Sequence, residues 1–555
     1  MTTDIIVSSQ DANHEVGRAE KARKRTLGNV RLRHHETGEI ILIPTPSSDP
    51  NDPLNWPQWY KYYMATVICV AMMMCNFLAA GPSIAIITIT MEFFPGAHPE
   101  RSPHLFGPAV AKVIYLFTTT ALLQGVGNFI WVPIANKYGR RSTYVFSYAI
   151  YFATALWLSF EHSYGAFLAG RILMGFGAGA AETVAPITIA DVFFLHERGT
   201  VMASYSAFLA IGAAIGLVIS GLITINHHWR VIYQVASALI GLVLLTAFFA
   251  FPETAYIREP PRNDDESSVP PSSSSEKVSV MSSASASDVE RTSRPVPAKM
   301  TYLQSLKIFH KTLTNESLFR LLARPFGLIC LPPVLWVSLV TGTTIGFLIV
   351  MNSNVEIAFV ATYHFESWQV GLCFISAIIG SLIGIPAGGT FGDQVADWFT
   401  RRNGGIRDPE MRLPAMIPSL ITAPLGLILF GVGVEHKLHW ICSTIGIGFL
   451  SFAIVQGTNV ALVYLIDAYR PIAGEITLTV MGFKSLFGFL LSFYTNTWVT
   501  QSGYQNAYGT MAAISAAVLL GWIPLYFWGK KIRHVTWCWP VISYIHWSDD
   551  REVGE

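Results

Sequence analysis

The chain has 555 residues, of which 52% are hydrophobic and only 13% charged, with a formal net charge of +1. A soluble domain usually carries about 25% charged residues, so a water-covered surface is excluded for most of the chain. The balanced charge also speaks against nucleic acid as a partner, which calls for a clustered basic face.

A bilayer core of about 30 Å takes about 20 apolar residues per helix, and the apolar runs can be read in order. Residues 1–60 are polar, carry KARKR at 21–25 and show no signal-peptide pattern, so they are expected as a cytoplasmic tail. Six spans follow at about 62–90, 113–135, 142–160, 165–190, 200–223 and 231–251. After FPET at 251–254 the chain turns polar, giving a cytoplasmic linker over 253–325 that is serine-rich and disordered around 266–294. Its last part, 302–324, spaces apolar residues at helical intervals among Lys307, Lys311, Arg320 and Arg324. Two readings are open for it, an interfacial helix on the inner leaflet and a plain connector helix. Six more spans are predicted at 326–350, 367–391, 413–434, 440–466, 476–498 and 506–528, before a cytoplasmic tail at 531–555. The expected fold is an all-α membrane protein of twelve transmembrane helices in two pseudo-symmetric six-helix halves, 61–252 and 326–530.

With the N-terminus inside, twelve lysines and arginines between Lys137 and Arg533 fall on the cytoplasmic side, against Arg101, Lys112, Arg230 and Lys437 on the other. That excess fits the positive-inside rule, with both termini cytoplasmic. The six cysteines form neither CxxC nor a metal-ligand spacing, so no metal site or disulfide framework is expected. No Walker motif is present, so ATP is not the expected energy source, and no cofactor is expected. GFGAGA at 175–180 lies in the middle of a span, where close helix packing accounts for it.

The halves repeat. VPIANKYGRR (132–141) joins the second and third spans, and GTFGDQVADWFTRRNGG (389–405) joins the eighth and ninth, with Asn136 and Asp393 at corresponding helix ends. ADVFFLHERG (190–199) and IDAYRPIAGE (466–475) close the fourth and tenth spans, pairing Asp191 with Asp467 and Glu197 with Glu475. Duplicated halves suit a transporter that rocks around a midplane site.

IANKYGRR resembles the loop signature G-x-x-x-D-R-x-G-R-[KR] of the major facilitator superfamily, with Val132 in place of the glycine and Asn136 in place of the aspartate. GRILMGFGAG (170–179) resembles its fourth-span signature, placed on Arg171. AIGAAIGLVISG (210–221) resembles its fifth-span antiporter signature, with Leu217 where proline is usual. NDPLNWPQW, WRVIYQ, FPET, RRNGGIRDPEMRLP and YLIDAYRP together are similar to fungal twelve-span drug:proton antiporters, and to the branch that contains a yeast polyamine and cation transporter. The resemblance implies proton-coupled efflux of drugs, toxins or secondary metabolites by alternating access, in the plasma membrane. Polyamine or organic-cation transport is the alternative within that class, and a transporter-like nutrient sensor the alternative outside it. The implied partners are the lipid bilayer, protons and a small organic solute, acting on a monomer; an enzyme is not expected.

The residues then take candidate roles. Gly139 permits a sharp reversal, and Arg140 and Arg141 either latch onto Asp191 and Glu197 or only set topology. On the fourth span Arg171 and Glu182 are eleven residues apart, about 20° around the helix and about 16 Å along it. A carboxylate that deep is costly and usually functional, so Glu182 is the leading proton or cation site, with a hydrogen-bonded structural role as the alternative. Arg171 either tunes it or holds a polar network. Lys484 is expected to meet the tenth-span network or to snorkel inward. Asn76, Gln124, Asn128, Gln456 and Asn459 are candidate cavity residues, and Trp336, Tyr205 and Tyr494 candidate aromatic walls for an organic cation.

Overall fold

The computed structural model of the chain describes residues 30–31, 46–47, 49–98, 101–256, 299–308, 312–314, 316–404, 406–469, 472–537 and 539. The stretch 266–294, KARKR and the tail beyond 539 lie outside them. The first half comprises α1 (Gln58–Ala80), α2 (Ile86–Phe93), α3 (Pro103–Tyr138), α4 (Arg140–Leu158), α5 (Tyr164–Val192), α6 (Leu195–Ile223) and α7 (Val231–Ala250). Two short helices follow, α8 (Tyr302–Ser305) and α9 (Leu318–Leu328). The second half comprises α10 (Pro332–Tyr363), α11 (Ser367–Cys373), α12 (Ile375–Gly388), α13 (Thr390–Arg402), α14 (Ile417–Glu435), α15 (Trp440–Ala468), α16 (Ala473–Leu520) and α17 (Trp522–Trp537).

Several predicted boundaries move for identifiable reasons. The first span is interrupted by a 3-10 turn, Gly81–Ala85, with Pro82 at its start. The eleventh and twelfth spans follow one another without a loop, as two helices that meet at Gly503, where φ is +77° and the backbone is not helical. Only Gly139 separates α3 from α4, so Arg140 and Arg141 sit in the first turn of α4 rather than in a loop. The segment 302–324 is not one helix but α8 and the start of α9, and Arg324 is buried, paired with Glu316 at 2.8 Å.

Eleven helices among the described residues are long and apolar enough to cross a membrane. The third predicted span, α4, falls short because Arg140, Arg141, Tyr144, Tyr148 and Tyr151 dilute its apolar run. It is held by its polar groups instead: the Tyr148 and Tyr151 hydroxyls donate to the Ala71 and Met74 carbonyls of α1 at 2.6 and 2.7 Å. The GFGAGA stretch of α5 packs as expected. A Cβ on Gly175 would lie 2.4 Å from the Thr120 carbonyl oxygen, and one on Gly179 2.4 Å from that of Gln124.

The halves meet along α3 with α16 and along α6 with α11 and α12. A two-residue antiparallel pair, β1 (Val30–Arg31) with β2 (Ile406–Arg407), adds the described strands. The end of the bundle carrying Arg140, Arg412 and Arg533 is the basic end below.

Candidate functional site

Most polar residues of a membrane bundle bond to neighbouring helices, so a candidate site must offer polar groups that this packing leaves over. At mid-depth, Glu182 of α5 is fully buried and forms an ion pair with Lys484 of α16, which is 5% exposed. This corrects the expectation for Lys484: its partner is neither the tenth span nor the lipid interface but the fourth-span carboxylate, across the boundary between the halves. The second carboxylate oxygen, Oε2, has no hydrogen-bond partner among the described residues. The Glu182 main-chain carbonyl accepts the Tyr205 hydroxyl at 2.5 Å, which fixes α5 against α6 at this level.

Beside the pair lies a cavity of about 90 Å³, lined by residues of both halves, among them Asn76, Phe117, Gln124, Asn352, Lys484 and Ser485. Sites for drug-sized ligands are typically about 300–1,000 Å³, so this cavity is contracted. Contacts between the halves flank it toward both ends of the bundle. At the end opposite the basic one, the Glu356 carboxylate of α10 accepts the Ile86 N–H at the start of α2 at 3.2 Å and the Ser367 hydroxyl at 3.1 Å. At the basic end, the Asp393 carboxylate of α13 sits where a Cβ on Gly199 of α6 would be, 2.3 Å from that position. Between these levels, a Cβ on Gly125 of α3 would lie 2.2 Å from the Ser485 Cβ of α16.

Arg171 does not approach Glu182. Its guanidinium donates to the Leu78 carbonyl at 2.8 Å, to Ala79 at 3.4 Å, to Leu116 at 3.0 Å and to the Tyr233 hydroxyl at 3.2 Å. Leu78 and Ala79 are the last turn of α1, where carbonyls lack helical partners and the helix dipole favours a cation. Arg171 therefore clamps the break in the first span. Several expected cavity residues are likewise used elsewhere. Asn128 accepts from the Thr183 hydroxyl at 2.9 Å. Gln456 bonds Ser419 and the Ala415 carbonyl, and Asn459 donates to the Gly388 carbonyl at 2.9 Å. These bonds tie α15 to the ninth and eighth spans. Trp336 donates to the Val518 carbonyl at 2.9 Å, and Tyr494 is 60% exposed on the outside of the bundle. Asn76, Gln124 and Lys484 are the predicted cavity residues that the structure brings together.

The corner at Gly139 is built by a residue the sequence reading quoted in FPET but assigned no role. Gly139 has φ +103°, and a Cβ there would lie 2.2 Å from a Glu253 carboxylate oxygen. That carboxylate accepts the Arg140 and Arg141 main-chain N–H groups at 2.8 and 3.2 Å, capping α4. Arg140 pairs with Asp191 at 3.0 Å and also reaches Asn136. Arg141 departs from the expected latch, because its guanidinium donates to the Phe248 and Phe251 carbonyls at the end of α7. Glu197 accepts from Gln58 at 2.9 Å. The second half repeats the corner with other residues: Arg412 pairs with Asp393 and feels the charge of buried Asp467, while Arg533 and Glu410 form a double hydrogen bond at 2.8 and 2.9 Å. Glu475 is buried in the first turn of α16.

Among known families, the Major Facilitator Superfamily matches residues 66–482. Protein HOL1 of Saccharomyces cerevisiae is 25% identical over 96% of this chain and 95% of its own. The MFS transporter cpaT of Aspergillus oryzae is 24% identical over 88% and 90%. The human organic anion transporter MFSD10 shares the fold at a TM-score of 0.54, with 13% identity over 84% of this chain and 99% of that one. The xylose transporter XylE from E. coli, in a partially occluded inward-open conformation, gives 0.54, with 14% identity over 83% and 98%.

Proposed function

The chain belongs to the Major Facilitator Superfamily, and from that premise we propose that it exports a small organic cation across the plasma membrane in exchange for protons. One observation carries this reading: a buried carboxylate–ammonium pair, Glu182 with Lys484, joins the two halves beside the central cavity. A charge buried at membrane depth is costly without a partner. Whatever separates the halves must therefore supply Glu182 with another cation, and a proton and a cationic solute are the two that a transport cycle offers. Glu182 is the coupling group in this scheme, and both tails and the linker lie on the cytoplasmic side, with the basic end. The protein works as a monomer, because cavity and pair lie within one chain.

The test is the accumulation of a labelled organic cation, methylammonium or spermidine, in cells with and without the gene, each with and without a proton uncoupler. Expressing cells should hold less label, and the uncoupler should erase the difference. Higher uncoupler-sensitive accumulation in expressing cells would reverse the direction to uptake. Equal label in all four conditions would overturn cation transport.

A further inference from the structure

We infer that Lys484 is a tethered competitor for the cationic solute: its ammonium occupies the place on Glu182 that a solute ammonium must take. The inference rests on the exporter reading and adds how the site selects its cargo.

Three observations meet here. First, Lys484 lines the cavity while bonded to the buried Glu182, so the tethered ammonium stands between cavity and carboxylate. A solute reaches that carboxylate by displacing it. Second, the amide groups around the cavity are left with acceptors. Gln124 donates its amide N–H to the Cys75 sulfur at 3.0 Å and Asn76 donates to the Met72 carbonyl at 3.4 Å. The side-chain oxygen of Asn352 has no hydrogen-bond partner among the described residues. An ammonium carries three donors and no acceptor, so amide oxygens complement it, whereas a carboxylate solute would face acceptors. Third, Glu182 Oε2 is buried and likewise lacks a partner, so the carboxylate has capacity for a second donor while Lys484 still holds Oε1. An incoming ammonium can engage Oε2 as it displaces Lys484 from Oε1. Selection then follows from competition: a neutral molecule of the same shape cannot release Lys484, because it offers Glu182 no charge in exchange.

The experiment uses the purified full chain and three probes of one size: n-butylammonium, 1-butanol and butyrate, followed by isothermal titration. Wild type should bind n-butylammonium and neither of the others. Lys484→Met removes the competitor while keeping the stem, so n-butylammonium affinity should rise at least tenfold. Lys484→Arg keeps a tethered cation and should bind no better than wild type. Glu182→Gln should lose the binding, with size-exclusion profiles confirming that each variant is folded. Unchanged or weaker n-butylammonium binding in Lys484→Met overturns the inference, and so does butyrate binding to wild type that Lys484→Met abolishes, since Lys484 would then be an anion receptor. Failure of the exporter reading looks different: Lys484→Met would still gain affinity, while vesicles of wild type would show no proton-driven flux.

Discussion

Replacing Glu253 tests whether the corner at Gly139 is held by a side chain that lies 112 and 113 residues away along the chain from the groups it caps. Its carboxylate accepts two N–H groups from the first turn of α4 and two from its own turn, Thr254 and Ala255, at 3.0 and 2.9 Å. Only the first two join separate elements. A helix N-terminal capping bond contributes about 1 kcal/mol, and the helix dipole adds to this for an anion. Glu253→Ala should therefore cost about 2 kcal/mol of local stability. Glu253→Gln keeps one acceptor oxygen but not the charge, so about half of that loss is expected. Gly139→Ala attacks the same corner from the other side: its Cβ would lie 2.2 Å from the carboxylate, and a non-glycine residue at positive φ costs about 1–3 kcal/mol. The assay is the thermal midpoint of the purified protein, read by loss of the monodisperse size-exclusion peak. The expected order is wild type, then Glu253→Gln, then Glu253→Ala. If Glu253→Ala melts with wild type while Gly139→Ala does not, backbone strain alone shapes the corner and the capping argument fails.

Arg140→Ala breaks a half-buried ion pair with Asp191, worth about 1 kcal/mol. It should shift the balance between open and closed forms by about fivefold, slowing transport at normal expression; unchanged kinetics would leave the arginine a topology signal only. Arg141→Ala strips two carbonyls at the end of α7 of their donor, so it should lower the thermal midpoint more than Arg140→Ala does, and the reverse order would contradict the contacts. Glu182→Gln should stop uphill transport, and counterflow should persist only at raised solute concentration; gradient-driven transport at wild-type affinity would make Glu182 structural. Glu356→Gln weakens the tie at the end opposite the basic one, so maleimide should modify Ser83→Cys faster in its presence, as measured by mass spectrometry at that residue. An unchanged rate would show that Glu356 does not hold that end closed.

Eleven of the twelve predicted spans were readable because each needs a long apolar run, whereas Asn136 lies in the last turn of α3 and Asp393 in the first turn of α13, so the two do not mark equivalent helix ends. Glu182 stood out for the same reason, a charge with no business in an apolar run. Its partner did not: Lys484 lies 302 residues away, and no spacing rule connects residues on different helices. Glu356 escaped notice because the seventh span was expected to end near 350, whereas α10 runs to Tyr363. The amides show the converse error. Asn459 and Gln456 are as polar as Asn76, but only packing decides whether a side chain faces a helix or a cavity. Of the two roles open for Arg171, the structure shows the polar network, since helical phase puts it on one face with Glu182 but says nothing of the broken helix end that claims it first.

The glycine contact between Gly125 and Ser485 gives the two halves a fulcrum. Helices α3 and α16 touch there with no room for even a methyl group, at a level between the Glu356 tie and the contact of Asp393 with Gly199. Two rigid bodies resting on a point at mid-height behave as a seesaw: spreading one pair of ends presses the other pair together. Large excursions at either end then require little travel at the pivot. Lys484 directly precedes Ser485 on α16, so its pair with Glu182 of α5 lies beside the point about which the halves turn.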